Sequence, residues 1–256
     1  MRNRTNKKAF TLTEVLMSMG IFVIGMSLVA SVFPLGISLT AKNAEKTIGS
    51  LAAEKFETDM KILAKPSTAA GFEDVFSNLS RDVSEYRVKD EQGSSEYLIA
   101  PLLSPPAGQA RRLLIVPCRK IFKNSLYRTN DNKFSQNPDD WADYPNLIAL
   151  PLDDEIDDAR PGNLLKLHSS LASRTAPSWK ELIVKEAIVI ADNTGNDYQI
   201  EDIFTEGADV YIRIDKFLED SDRDNITTVW TVPPAANGGM RSPAISVYET
   251  VLNFES

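Results

Sequence analysis

Lys7-Lys8-Ala9-Phe10-Thr11-Leu12-Thr13-Glu14-Val15, leading into an uncharged run from Val15 to Leu39, decides how the rest of this chain is organised. The run is 25 residues long. As a helix rising about 1.5 Å per residue it spans roughly 37 Å, enough to cross a hydrocarbon core of about 30 Å. Arg2, Arg4, Lys7 and Lys8 precede it with no acid among them, and such a positive flank holds an N-terminus in the cytoplasm. A single-pass membrane protein with an exported C-terminal bulk is therefore expected.

Glu14 is the odd residue at the mouth of this run. An ionised carboxylate drawn to the bilayer centre costs about 2.5–3.5 kcal/mol, so acids in such segments usually have a partner and a purpose. No basic residue follows it until Lys42. Its nearest cations are in the leader, unless a cut between Ala9 and Phe10 creates a new α-amino group four residues upstream. In a helical assembly that amine, on an adjacent and axially shifted copy, would sit beside Glu14. The competing role for Glu14 is simply to cap a membrane helix.

The stretch Ala9-Phe10-Thr11-Leu12-Thr13-Glu14-Val15-Leu16 resembles the prepilin cleavage and methylation signal of type IV pilins and pseudopilins. The resemblance covers roughly residues 7 to 40. It implies a prepilin peptidase of the bacterial inner membrane as a partner, removal of leader residues 1–9 after Ala9, and N-methylation of Phe10. It also implies that Glu14 aids docking of the subunit among other pilin-like subunits, and that residues 10–39 serve first as membrane anchor and then as filament core. The family prefers Gly where this chain has Ala9. The competing reading is a signal anchor or secretory signal peptide. A secretory apolar core is roughly 7–15 residues and its cut follows that core; here the run is longer and the small residue precedes it, leaving Val29-Ala30-Ser31 as a weak alternative cut.

The chain carries 28 basic and 36 acidic residues; without the four leader cations the mature protein would have a net charge of −12. Nucleic acid is not an expected partner, because affinity for phosphate backbone rests on clustered Lys and Arg. The pairs Arg111-Arg112 and Arg119-Lys120 lie in apolar, strand-like surroundings and read as a solvated face. Cys118 is the one cysteine, so no intrachain disulfide staples the exported part, unlike in many pilins. It reads as a buried strand thiol. A nucleophilic role would need an activating base, and the one histidine, His168, is distant in sequence.

Beyond the run, Ala41, Ala44, Ile48, Ala52, Phe56, Met60 and Leu63 recur at spacings of three and four, predicting an amphipathic continuation of the helix over 40–64. Pro34 removes a hydrogen bond and clashes with the preceding turn, so a kink or locally melted stretch is expected near Ser31 to Pro34. Gly20 and Gly25, with Ser18, Ser27 and Ser31, are either close-packing positions or unremarkable lipid-facing small residues.

Lys65-Pro66 ends the helix and opens a head over 65–256. Phe72 to Tyr86 has mixed helical spacing. Strands are expected over Glu96–Leu103, Arg111–Phe122, Leu147–Leu152, Glu181–Ala191, Asp197–Phe204, Asp209–Phe217, Ile226–Val232 and Ala244–Phe254, the last three forming a closing antiparallel meander. Residues 123–178 read as loops around a short strand. The expected fold is α+β: a long N-terminal helix packed on an antiparallel β-sheet head, pilin-like.

Asp220-Ser221-Asp222-Arg223-Asp224-Asn225 spaces carboxylates by two, as the first half of a calcium loop does, but Asn225 occupies the glycine slot and Thr231 the bidentate acid's. A full EF-hand is excluded. Because some pseudopilins of the resembling family bind calcium in a C-terminal loop, Asp220, Asp222 and Asp224 are calcium candidates, against a solvated turn. Asp153 to Asp158 and Asp192 to Asp197 read as a solvated loop and a turn. Otherwise no cofactor is expected, and zinc lacks its usual ligands. No phosphate loop, dinucleotide fingerprint, metalloprotease helix or nucleophile elbow occurs, so a non-enzymatic role is expected. Phe33-Pro34-Leu35-Gly36-Ile37, the large head and the lone cysteine are similar to minor pilin-like proteins of the Verru_Chthon cassette type, its B member. A permanently anchored extracytoplasmic adaptor is the alternative.

Overall fold

Apolar and amphipathic runs at helical spacing favour a helix, and α1 runs from Leu12 to Ala64 over 53 residues despite Pro34 within it. The structure, a computed structural model, describes residues 11–65, 67–68, 71–72, 76, 88–89, 95–104, 110–120, 127–128, 141–142, 145–153, 161–172, 179–223, 226–235 and 241–254. The chain divides into two units, Met1–Thr47 and Ile48–Ser256.

In the first unit α1 is an apolar rod open to its surroundings; Phe22 is 64% and Phe33 67% exposed. The helix continues through Pro34, so of the kink or locally melted stretch expected there the melted one does not occur. Proline withholds only its own N–H from the helical ladder, and the bonds on either side hold the backbone helical. Ser31 Oγ returns a hydrogen bond to Leu28 O at 2.8 Å, and Thr40 Oγ1 one to Gly36 O at 2.8 Å.

The second unit begins with the last turns of α1. Gly49, Ala52, Ala53, Phe56, Met60 and Ala64 are buried, a stripe at spacings of one, three and four. The stripe starts later than the sequence suggested, since Ala41 and Ala44 are exposed. Gly49 lets the helix approach closely: a Cβ there would lie 3.3 Å from the Pro117 Cβ.

This stripe packs on a four-stranded antiparallel sheet made from β1 (Val88–Lys89), β2 (Ser95–Leu103), β3 (Ala110–Arg119) and a strand from the end of the chain, described below. Side chains alternate across a strand, and β3 is buried on both faces. Leu113 and Ile115 join Phe56 and Met60 beneath the helix, while Leu114, Val116 and Cys118 belong to a separate core behind the sheet. Two covered faces explain the continuous apolar run of this strand. They also correct the reading of Arg111-Arg112 as a solvated face, since Arg111 is 4% exposed.

A short pair follows, β4 (Tyr127–Arg128) with β5 (Trp141–Ala142). The next six strands are β6 (Ile148–Pro151), β7 (Leu164–Lys166), β8 (Ile188–Ala191), β9 (Asp197–Glu206), β10 (Asp209–Ile214) and β11 (Thr228–Thr231). They hydrogen-bond in the order β6-β11-β8-β9-β10-β7, every pair antiparallel. The two outer strands then meet: Leu152 bridges Leu167, Asp153 N donates to Lys166 O at 2.9 Å, and His168 N donates to Pro151 O at 3.0 Å. The six strands therefore close into a small barrel, which removes exposed strand edges. Its interior is filled by Leu150, Leu165, Val189, Ile200, Ile212 and Val229 with their neighbours.

The closing strand β12 (Tyr248–Asn253) returns to the first sheet and pairs with β3. The barrel is thus a contiguous insertion between β3 and β12. Ile190, Trp230 and Val232 of the barrel side pack with Ala100, Leu114, Val116 and Cys118 of the sheet.

Three expectations are corrected here. β10, β11 and β12 do not form a meander, because β11 pairs with β6 and β8 while β12 pairs with β3. Alternation specifies which face of a strand is apolar, not which strand lies beside it. Glu181–Ala191 is a strand only from Ile188; Trp179–Leu182 forms a helical turn whose Leu182 is buried in the barrel core. Within 123–178, β6 is the short strand expected there, whereas β7 is a further barrel stave in a stretch expected to be loop. The helical spacing of 72–86 falls mostly outside the described residues.

Glu57 ties α1 to β12. Lys61 at 2.5 Å and the Thr250 hydroxyl, which donates at 2.8 Å, hold its carboxyl below the ordinary value of 4.5. A depressed folded-state value contributes stability above the unfolded value, lost as pH falls through the folded one. Glu57→Gln is therefore expected to lower stability near neutrality and to flatten the acid limb of the unfolding profile below about pH 4.5, where variant and wild type converge. Unfolding followed against pH by circular dichroism checks this; an unaltered acid limb contradicts it.

Candidate functional site

Thr11 and Glu14 stand three residues apart at the start of α1, the spacing of a reciprocal cap. Thr11 N and Thr11 Oγ1 each donate to Glu14 Oε2 at 2.9 Å, and Glu14 N donates to Thr11 Oγ1 at 3.3 Å. These bonds satisfy backbone donors that the first turn of a helix otherwise leaves unmatched. They place a carboxylate at the positive end of the helix dipole. The threonine-x-x-glutamate spacing of Thr11 and Glu14 is a local signature of this cap, and it gives Thr11 a role that the unpaired acid by itself does not indicate. Ala9 and Phe10, the expected cut and methylation positions, lie outside the described residues.

Chemically, the arrangement can do two things. It supplies the Glu14 carboxylate with donors from its own chain, and it leaves the acid exposed to a cation brought by another molecule. Behind it, α1 is long and apolar enough to cross a membrane by length and composition.

Of the calcium candidates, the described pair Asp220 and Asp222 occupy different surroundings. Asp220–Arg223 is a helical turn rather than an open loop. Asp220 is exposed, Asp224 lies outside the described residues, and Asp222 is fully buried. The Asp222 carboxylate accepts from Thr194 Oγ1, from Asn196 Nδ2 at 3.1 Å and from Tyr198 OH at 2.5 Å. It fastens the turn between β8 and β9 to the helical turn before β11. Asn193 Nδ2 adds a bond to Ser221 O at 2.9 Å. Burial, then the bond to Asp222, pushes the Tyr198 hydroxyl up to about 12. Sequence spacing suggested a cation for Asp222; its donors come from residues more than twenty positions away, which no local pattern shows. Among the described residues no group of three or more His, Cys, Asp or Glu could hold a metal.

Cys118 is buried, its thiol donating to Val116 O at 3.4 Å, and burial pushes the thiol up, away from the reactive thiolate. His168 is exposed and its Nδ1 lies 2.8 Å from Ser170 Oγ. The two do not share an environment.

Residues 4–30 match the family model of the prokaryotic N-terminal methylation motif. The match spans Ala9, Phe10, Thr11, Glu14 and the first half of the apolar run, so the chain carries a prepilin-type signal. No curated protein and no solved structure matches the chain.

Proposed function

We propose that this protein is a prepilin-like subunit, cleaved after Ala9, N-methylated at Phe10, and assembled through its N-terminal helix into a pilus-like or pseudopilus-like structure. The observation that carries the reading is a methylation motif whose acid, Glu14, sits at the mouth of an exposed apolar rod. Exposure of so much apolar surface needs a non-aqueous partner. The bilayer supplies it before assembly, and neighbouring helices supply it afterwards. In this reading the N-terminus is cytoplasmic, the anchor lies in the inner membrane and the head is extracytoplasmic. The partners are a prepilin peptidase and other pilin-like subunits; no nucleic acid, cofactor or catalysis is invoked. The large inserted barrel supports a minor subunit, in keeping with the resemblance to the B member of the Verru_Chthon cassette type.

Incubation of the full chain with membranes containing a prepilin peptidase is expected to shorten it by nine residues, with mass spectrometry finding methyl-Phe10 at the new terminus. A chain that keeps its arginine-rich leader overturns the reading. One observation favours a second function, a permanently anchored extracytoplasmic adaptor: Glu14 is already satisfied by Thr11 within its own helix. Recovery of the protein only in membranes, never in sheared assemblies, would support that alternative.

A further inference from the structure

We propose that the cleft between the four-stranded sheet and the barrel binds a carboxylate carried on an apolar body. The proposal concerns the head alone and stands whether or not the helix assembles into filaments. The cleft holds about 410 Å³, within the roughly 300–1,000 Å³ typical of small-molecule sites. Its walls are apolar where Leu103, Leu114 and Val251 line it, and its polar groups are mainly donors: Arg112, Ser104 and Trp230.

Arg112 is the centre of the argument. Its Nε lies 2.9 Å from Glu249 Oε1, which anchors one side of the guanidinium. The other side rests against the turn between β8 and β9. Arg112 Nη1 lies where a Cβ on Gly195 would come within 2.9 Å, and Gly195 has a φ of +83°, so the turn needs glycine for its backbone. The guanidinium is thus held in place with its side chain still 35% exposed. A guanidinium offers five N–H donors in a rigid fork matched to a carboxylate, and among the described residues no hydrogen bond uses the four on Nη1 and Nη2. The Ser104 hydroxyl oxygen accepts from Arg112 N at 3.0 Å, which leaves its own proton to donate. The indole N–H of Trp230 is a further donor without an acceptor among the described residues.

Asp192 is the acid in the lining of the cleft; its Oδ2 accepts from Thr227 Oγ1 at 3.2 Å, and its charge disfavours a polyanion. An apolar enclosure with a prearranged donor fork, flanked by the negative charges of Asp192 and Glu249, fits a monoanion with an apolar tail rather than a polyanion. Such a carboxylate can come from a free acid or from the C-terminus of a peptide ending in an apolar residue.

The test uses the full chain in lipid nanodiscs and saturation-transfer NMR with four probes: 3-phenylpropionate, its amide, acetyl-Ala-Ala-Phe, and that peptide amidated at its C-terminus. At least one carboxylate is expected to bind saturably, above empty nanodiscs, with its amide weaker by about tenfold. Binding by the free acid alone identifies a small-molecule site, and binding by the peptide alone identifies a peptide terminus. Arg112→Gln is expected to weaken binding about tenfold, with Arg112→Lys intermediate because charge remains but the fork is lost. Should Arg112→Gln lower the unfolding temperature, Trp230→Phe and Arg112→Lys decide the matter. Equal binding of acids and amides, no saturable binding, or indifference to all of these substitutions overturns the proposal.

Discussion

Glu14→Val is expected to reduce recovery of the protein in sheared assemblies by about tenfold or more, while membrane insertion is unchanged or improved. The acid sits at the entrance to a 25-residue uncharged run, where an ionised group resists transfer into hydrocarbon. Valine removes that resistance, so insertion cannot suffer on electrostatic grounds. What valine cannot supply is a counter-charge for a new α-amino group on a neighbouring subunit. Thr11→Val separates this docking role from capping. Both substitutions break the reciprocal cap, whose bonds run in both directions between the two residues. Loss of a helix cap costs about 1 kcal/mol, and that cost is common to both variants. If docking is the larger role, Thr11→Val assembles far better than Glu14→Val. Equal, near-normal assembly of both sinks the docking role and leaves the adaptor reading. Comparison of sheared and membrane fractions by immunoblot is sufficient.

Asp222→Ala is expected to destabilise the head by about 3 kcal/mol or more, because three donors lose a charged acceptor in a buried setting. Thr194, Asn196 and Tyr198 all converge on that carboxylate, and Asp222 itself has no exposed surface. Tyr198→Phe removes one of those bonds and keeps the ring, so its cost is expected to be about 1 kcal/mol. For a unit of this size each kcal/mol lowers the unfolding temperature by about 2–4 °C, so thermal unfolding orders the variants. The same experiment tests calcium. A cation bound at Asp222 would raise the unfolding temperature with concentration. With the carboxylate already occupied by protein donors, millimolar calcium is expected to leave the wild-type transition in place. A calcium-dependent rise abolished by Asp222→Ala would restore the metal reading.

The sequence contained the N-terminal quarter of this molecule almost entirely. An apolar run, a positive leader and one acid are local properties, and a helix forms its hydrogen bonds within a few residues, so Leu12–Ala64 could be read without knowing the rest. The stripe around Phe56 and Met60 was legible for the same reason. Most strands of the head were also legible, because alternation and turn residues are local. Their partners were not. Only the tertiary structure sends β12 back to β3, joins Leu152 to Leu167 to close the barrel, and turns Asp222 inward to Tyr198. Strand pairing and buried polar satisfaction depend on residues far apart in the chain meeting in space. That choice is made by which closed arrangement covers the apolar faces and leaves the fewest buried donors and acceptors unmatched.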